Sequence, residues 1–378
     1  MIFWKNKVIF IISLLSVSVL LIVSKGYALN EKTHREINER ISKNNFSNFS
    51  LNDYLKNQLG ISKGFDEKIN SKEVFLWIGD GGEEEDAGAR SLNHFLNPLT
   101  DKGLSLKKSA LEWATLPVGG QNSSWNDVRY YYFRALTSVD KTTREDYFAL
   151  TFQGIEQVMH LVEDMSVPAH VRNDLHPPPF WSDGYEDWAK ESEDVSQVNY
   201  KPVSFSPYNA FFLIPQLFDT NKYLEGIDPA ITTSSNSIGL SEYTNANFFS
   251  EDTMTTTKFP YPKTDSNKKT AKSYTGPEAT YSREYFLKDC NEIYCKTSVS
   301  KNYSGYLLSA VDLNDYWRMQ NPNSSNPKPI VPVLDENVHK DYANLLIPRA
   351  IGYSSQVLNY FFRGQMEVKC LIIYNCCK

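Results

Sequence analysis

Apolar residues recur at three- and four-residue intervals through the first two hundred positions, the spacing that gives an α-helix one core-facing side. The clearest series is Phe148, Phe152, Ile155, Met159 and Val162. A capping box of Thr142 with Glu145 predicts its start, and it runs to Asp164 or Met165, before Pro168. The segments SLKKSALEWATL (105–116) and SWNDVRYYYFRALTS (124–138) also read as helices. So does the stretch from Leu29 to about Lys43, on spaced Leu29, Ile37 and Ile41. A short helix is expected over 185–192, and another opening at Ser206-Pro207, where a cap precedes a proline at the first helical position.

From about 229 to 330 the pattern changes. TTSSNS, TMTTTKFPYPKTDSNKKTAKSYTG and NPNSSNPKP are polar and punctuated by proline, which predicts a loop-rich surface insertion with short strands at most. Beyond it, Asp335 caps a long periodic segment in which Pro348 predicts a kink and Gly364 a C-terminal cap. The expected fold is mainly α. Its parts are a helical domain over 29–228, the insertion over 229–330, a C-terminal helix over 331–364 packed on the helical domain, and a tail over 365–378. No solenoid-period repeat is visible.

The first 28 residues stand apart. Lys5 and Lys7 precede an apolar run from Val8 to Val23, and Gly26 and Ala28 flank Tyr27. That order of basic start, apolar segment and small residues predicts a signal peptide over 1–28, cleaved after Ala28, and a secreted or periplasmic protein. The mature chain would begin at Leu29. Composition is otherwise that of an ordinary globular protein, with 41% apolar and 22% charged residues, which excludes disordered and collagen-like classes. Net charge is −6, and Lys5, Lys7 and Lys25 all lie in the leader, so the remainder is more acidic still. Such a chain has no bulk attraction for polyanions, and binding phosphate requires a local cation. A metal would supply one. The five cysteines all lie between 290 and 377; Cys290 with Cys295 is the local disulfide an oxidising compartment would allow.

Histidine is scarce, six in all, and four sit in contexts suited to metal chemistry. In MHLVEDMSVPAHVRNDLH, His160 and Asp164 lie four apart on one helix face, and His170 follows just past the helix end. His94, in Asn93-His94-Phe95, follows the acidic run Asp80, Glu83, Glu84, Glu85 and Asp86. His34 lies six positions into the mature chain counted from Leu29, and Glu186 opens an amphipathic helix. His34, His94, His160, Asp164 and His170, with carboxylates besides, exceed the ligand count of one zinc and suit a two- or three-metal hydrolytic site.

At these residues the chain resembles the superfamily of zinc-dependent phospholipases C and single-strand-specific nucleases, in a bacterial secreted branch. The H-x3-D-x5-H spacing of His160, Asp164 and His170 matches its central element, and His94-Phe95 matches another. The resemblance covers roughly 29–190, and the closing YSSQVLNYFFRG helix is similar to that of bacterial members. It implies a multi-helix fold holding up to three Zn2+ ions. Leu29 (amine and carbonyl), His34 and Asp164 would hold the first. His94, His160, Asp164 and an acid from the run would hold the second, with Asp164 bridging. His170, Glu186 and one more ligand would hold the third. Asp86 is the preferred acid, with Asp80 and Glu85 as alternatives. Ser182 stands where the superfamily has a histidine before Glu186, so either His176 or Asp183 must take that place. Leu29 also replaces the usual tryptophan.

The implied activity is hydrolysis of a phosphodiester by metal-activated water, with Asp86 and Asp164 as the catalytic carboxylates. The substrate would be a phospholipid headgroup, reached through transient membrane-surface contact, or a nucleotide in a nuclease-like alternative. A third reading is a catalytically degenerate, metal-stabilised surface-binding protein.

Overall fold

The computed structural model describes residues 29, 31–46, 49–176, 183–191, 201–207, 212–223, 236–254, 256–275, 280–289, 305–311 and 332–363. The expectations for the 1–28 leader, the cysteines, Gly364 and the tail lie outside these residues. Helices α1 (Glu31–Lys43) and α2 (Leu51–Asn57) come first, then a two-stranded ribbon of β1 (Lys68–Ile69) and β2 (Lys72–Glu73). They are followed by α3 (Val74–Glu85), α4 (Ala110–Thr115), α5 (Trp125–Thr137), α6 (Lys141–Asp164) and α7 (Gly184–Glu191). Then come α8 (Pro215–Phe218), α9 (Leu240–Asn247), an antiparallel sheet of β3 (Lys269–Thr275), β4 (Thr280–Asp289) and β5 (Gly305–Ala310), and α10 (Glu336–Arg363). The protein is mainly α. No helix among the described residues is long and apolar enough to cross a membrane.

α6 is the axis of the fold, packed by α1, α3, α5 and α10. A helix wrapped on all sides is expected to be apolar all round. From Gly154 onward it is buried throughout, yet it carries Glu156, His160, Glu163 and Asp164 with no exposure. Charged residues are almost never buried this fully without partners or a metal, so these four mark a candidate site.

The close packing depends on glycine. A Cβ on Gly81 of α3 would lie 2.5 Å from the Glu156 Cβ, so any side chain there pushes α3 off α6. Gly81→Ala is therefore expected to destabilise the protein by about 1–3 kcal/mol, the usual cost of overpacking, read from denaturant unfolding. A wild-type unfolding midpoint in that variant would show that the two helices do not need this approach.

Local signals were overridden at three places. The α6 cap is Asp140, whose Oδ2 accepts the Thr143 N–H at 2.7 Å, because this carboxylate reaches the third helical N–H before the Thr142 pair can. Only Ala110–Thr115 of 105–116 is helical, since Ser109 and Glu112 form their own capping box and Leu106 upstream holds φ 64. The helix expected to open at Ser206-Pro207 continues into residues outside those described; over 201–207 the chain is extended, with the Val203 N–H on the Pro348 carbonyl at 2.8 Å and the Ser206 N–H on the Asn236 carbonyl at 2.7 Å. Gly352 leaves room for this crossing, since a Cβ there would strike the Val203 carbonyl. Finally, the described part of 229–330 is only partly at the surface, where β3 lies largely exposed. α9 and β5 are buried throughout, and β5 packs on α10.

Part of the polar character of that segment is satisfied internally, which periodicity does not reveal. Glu242 accepts the backbone N–H groups of Thr220, Lys222, Tyr223 and Gly239. Buried Arg172, from the turn after α6, donates to the carbonyls of Asn245, Phe248 and Tyr261 and to Thr253 Oγ1. These contacts fasten the segment beside the end of α6. α10 runs through Pro348, and Asp335 caps it as expected, its Oδ1 accepting from Asn337 N and Val338 N.

Candidate metal centre

His160 and Asp164 occupy the last turn of α6 on one face. α1 brings in His34, whose ring stacks on His160 with centroids 3.6 Å apart. Asp86 follows the end of α3, and His94 ends the short turn Gly88–Asn93. His170 starts the turn His170–Arg172 after α6, His176 lies on the following loop, and Glu186 sits in the first turn of α7. All of these except His176 are buried.

Asp164 is the hub. Its Oδ1 lies 3.2 Å from His34 Nε2; its Oδ2 lies 2.9 Å from His94 Nδ1, 3.4 Å from His160 Nε2 and 3.8 Å from His170 Nδ1. Asp86 Oδ1 joins them, 3.4 Å from His160 Nε2 and 3.5 Å from His94 Nδ1. Beside this group, Glu186 spans two imidazoles, Oε1 3.2 Å from His170 Nε2 and Oε2 3.1 Å from His176 Nε2. Three sets of ligand atoms fall within 4.8 Å: His34, Asp86 and His160; His94, His160 and Asp164; and His170, His176 and Glu186.

These buried groups could hold metal ions, and their own satisfaction argues for it. His34 Nε2, both nitrogens of His94, His160 Nε2, His170 Nε2, both oxygens of Asp164 and Glu186 Oε1 make no hydrogen bond although buried. Desolvating so many polar atoms without partners is costly, and a cation shared among them removes the penalty. The donor set of imidazoles and carboxylates suits zinc chemistry.

The surrounding groups fix which nitrogen points inward. A carbonyl only accepts, so His170 Nδ1–H on the His94 carbonyl (3.2 Å) and His176 Nδ1–H on the Asp174 carbonyl (2.8 Å) leave each Nε2 free to ligate. Glu163 Oε2 holds His34 Nδ1 at 2.6 Å, leaving Nε2 toward Asp164. Behind His94, Glu85 lies 3.6 Å from Nε2 and is itself held by Arg90 and by Trp113 Nε1.

Of the alternative ligands, Asp80 is spent on Lys72 and Arg35 at the surface, and Glu85 lies behind His94, so Asp86 is the acid that faces the cluster. Asp183 is engaged in capping α7, its Oδ1 accepting from Tyr185 N and Glu186 N, and His176 fills the third set. Ser182 lies outside the described residues. Leu29 is fully buried in the apolar core beside α1, and its main-chain role stays an expectation. Sequence reasoning missed Glu163. The one signal for it was a second acid beside Asp164 on a helix face too apolar to tolerate it unpaired. His339 stands apart at the start of α10, where burial lowers it to about 4.

Charge coupling in the cluster is strong. Burial pulls the His94 imidazole down, but Asp164 and Glu85 outweigh it and push it up to about 9. Burial is likewise outweighed at His176 by Glu186, which raises it to about 10. Both values exceed the ordinary 6.5, so in the metal-free protein their stabilising effect is complete below pH 6.5 and is lost as pH rises through 9 to 10. Metal needs the neutral imidazoles, so uptake at pH 7 must release protons and tighten as pH rises. Calorimetry in buffers of different ionisation heat is expected to show this release near pH 7 and its decline toward pH 10. A pH-independent, proton-free uptake would show that these histidines are not ligands.

Comparisons with known proteins find no matching family model, no matching curated protein and no matching solved structure.

Proposed function

We propose that this chain is a secreted zinc-dependent phosphoesterase of the phospholipase C and single-strand nuclease type, acting on a phospholipid phosphodiester. The observation that carries the reading is one buried carboxylate, Asp164, faced by His34, His94, His160 and His170, with a second set of His170, His176 and Glu186 alongside. The Leu29 main chain with His34 and Asp164 would hold one ion. Asp86, His94, His160 and Asp164 would hold the second, and His170, His176 and Glu186 the third. Zinc ions bound there would supply an activated water and neutralise charge on the phosphoryl group.

The chain's own residues do the rest. Asp164 would be shared between the sites. Asp86, fully buried against His94 and His160, would accept a proton from the activated water. Glu163, Glu85 and the carbonyls of His94 and Asp174 hold the imidazoles in their ligating tautomers.

A lipid headgroup is favoured over a nucleic acid by the carboxylates beside the third set. Burial, together with Asp183, Asp174, Asp252 and Asp187, raises Glu251 to about 7. A rim that already crowds negative charge repels a long polyanion and suits a phosphate carrying a cationic neighbour. The pairing of His176 with Glu186 supports a complete third set over a degenerate one.

The test is metal analysis of the mature protein, with phosphatidylcholine vesicles and single-stranded DNA assayed in parallel. Up to three zinc ions and hydrolysis of the vesicles are expected. Preferential cleavage of the DNA would move the activity to the nuclease side, and fewer than two ions with neither substrate cleaved would overturn the enzyme reading.

A further inference from the structure

One helical turn below the stacked rings of His34 and His160 lies a second group of buried polar atoms. Glu156 and Asn38 have no exposure, and neither oxygen of Glu156 nor either side-chain polar atom of Asn38 has a hydrogen-bond partner among the described residues. His160 Nδ1 is likewise buried and unpartnered. Asn38 follows His34 by four residues on α1, and Glu156 precedes His160 by four on α6, so each lies on the same helix face as its histidine. Glu39, next to Asn38, acts electrostatically on Glu156, as His160 does. α3 closes the space. A Cβ on Gly81 would meet the Glu156 side chain, and one on Gly82 would come within 3.7 Å of Asn38 Nδ2.

His160 needs what this pocket offers. Its Nε2 faces Asp86 and Asp164, each at 3.4 Å, so as a neutral ligand it must carry its proton on Nδ1. His34, His170 and His176 each have an oxygen on Nδ1, and His94 has Glu85 behind Nε2. For His160, the acceptor available on its own helix face is Glu156.

We propose that Glu156 is a positioning residue of the metal centre, accepting the His160 Nδ1–H through one buried water shared with Asn38. The inference rests on the metal reading above. Glutamine keeps an acceptor oxygen toward His160 and a polar partner for Asn38, so it is the conservative replacement, and leucine removes both.

The experiment is zinc titration of the full mature chain as wild type, Glu156→Gln and Glu156→Leu, with imidazole nitrogen NMR of the loaded proteins. Glu156→Gln is expected to stay within a few-fold of wild type. Glu156→Leu is expected to lose about 10–100-fold in affinity at the sites sharing His160, while the His170, His176 and Glu186 site is unchanged. In loaded wild type, His160 should be protonated at Nδ1, with a slowly exchanging proton whose shift moves in Glu156→Gln as its acceptor changes. A folded Glu156→Leu protein with wild-type affinity would overturn the inference and leave the metal reading intact. So would an Nδ1 proton exchanging at the bulk rate, or one whose shift is identical in Glu156→Gln; these two hold even if the leucine variant does not fold. A wild-type chain that takes up no zinc would overturn both.

Discussion

Replacing Asp164 by asparagine is expected to strip two ions from the protein together and to abolish phosphodiester hydrolysis. The substitution is nearly isosteric, so any effect reports charge and lone pairs rather than shape. Asp164 serves His34 through one oxygen and His94, His160 and His170 through the other. An amide keeps one neutral acceptor and turns the other position into a donor, which faces imidazole nitrogens that need an acceptor or a cation. The metal-free protein suffers too. Asp164 is held well below the usual carboxylate range; burial opposes this, but His160, His94 and His170 outweigh it, so it is the counter-charge of the cluster. Removing one partner from a buried charged group typically costs about 3–5 kcal/mol, and the metal-free variant is expected to unfold correspondingly earlier in denaturant. Metal content by mass spectrometry and chemical unfolding decide the matter. A variant that retains all its zinc and its activity would reduce His160 and Asp164 to an ordinary helix ion pair.

The second large effect is expected at His176. His176→Ala should cost one zinc ion and lower activity by about two orders of magnitude or more, because an open third site no longer stabilises the departing oxygen. The structure gives this residue a defined geometry: Nδ1–H bound to the Asp174 carbonyl and Nε2 3.1 Å from Glu186, with its ring 5.5 Å from that of His170. Asp183, the other candidate, is committed to capping α7 and cannot turn inward without giving up two backbone hydrogen bonds. The same variant should retain the two ions held around Asp164, which share no ligand with His176. Unchanged zinc content and activity would exclude His176 as a ligand.

How far the sequence reached can be judged residue by residue. Helix spacing was enough to place His160 and Asp164 on one face, because a four-residue interval closes one turn whatever surrounds it. The position of His170 just past the helix end followed from the same helix and Pro168. The helical character of the first two hundred residues was legible for the same reason, since amphipathic periodicity records which face meets the core. Helix starts were less legible. Asp140 and Thr142 both offer caps, and the choice depends on which side chain reaches the third N–H.

Other features had no local signature. Asp86, rather than Asp80 or Glu85, faces the cluster because α3 packs against α6 through Gly81, and that approach sets where the chain leaves the helix. The crossing of 201–207 by Pro348 and Asn236 had no local signature, since it pairs backbone groups from distant parts of the chain. The 229–330 segment looked like surface, yet Glu242 and Arg172 absorb part of its polar groups inside the fold. The sequence by itself determined the inventory of ligands and the local helix geometry that pairs two of them, because both depend on short-range covalent spacing. Only the tertiary structure decided which acid enters the site, that Glu163 holds His34, and that α3 seals Glu156 in the core through Gly81, because those are contacts between helices, set by packing and by the cost of leaving buried polar atoms without partners.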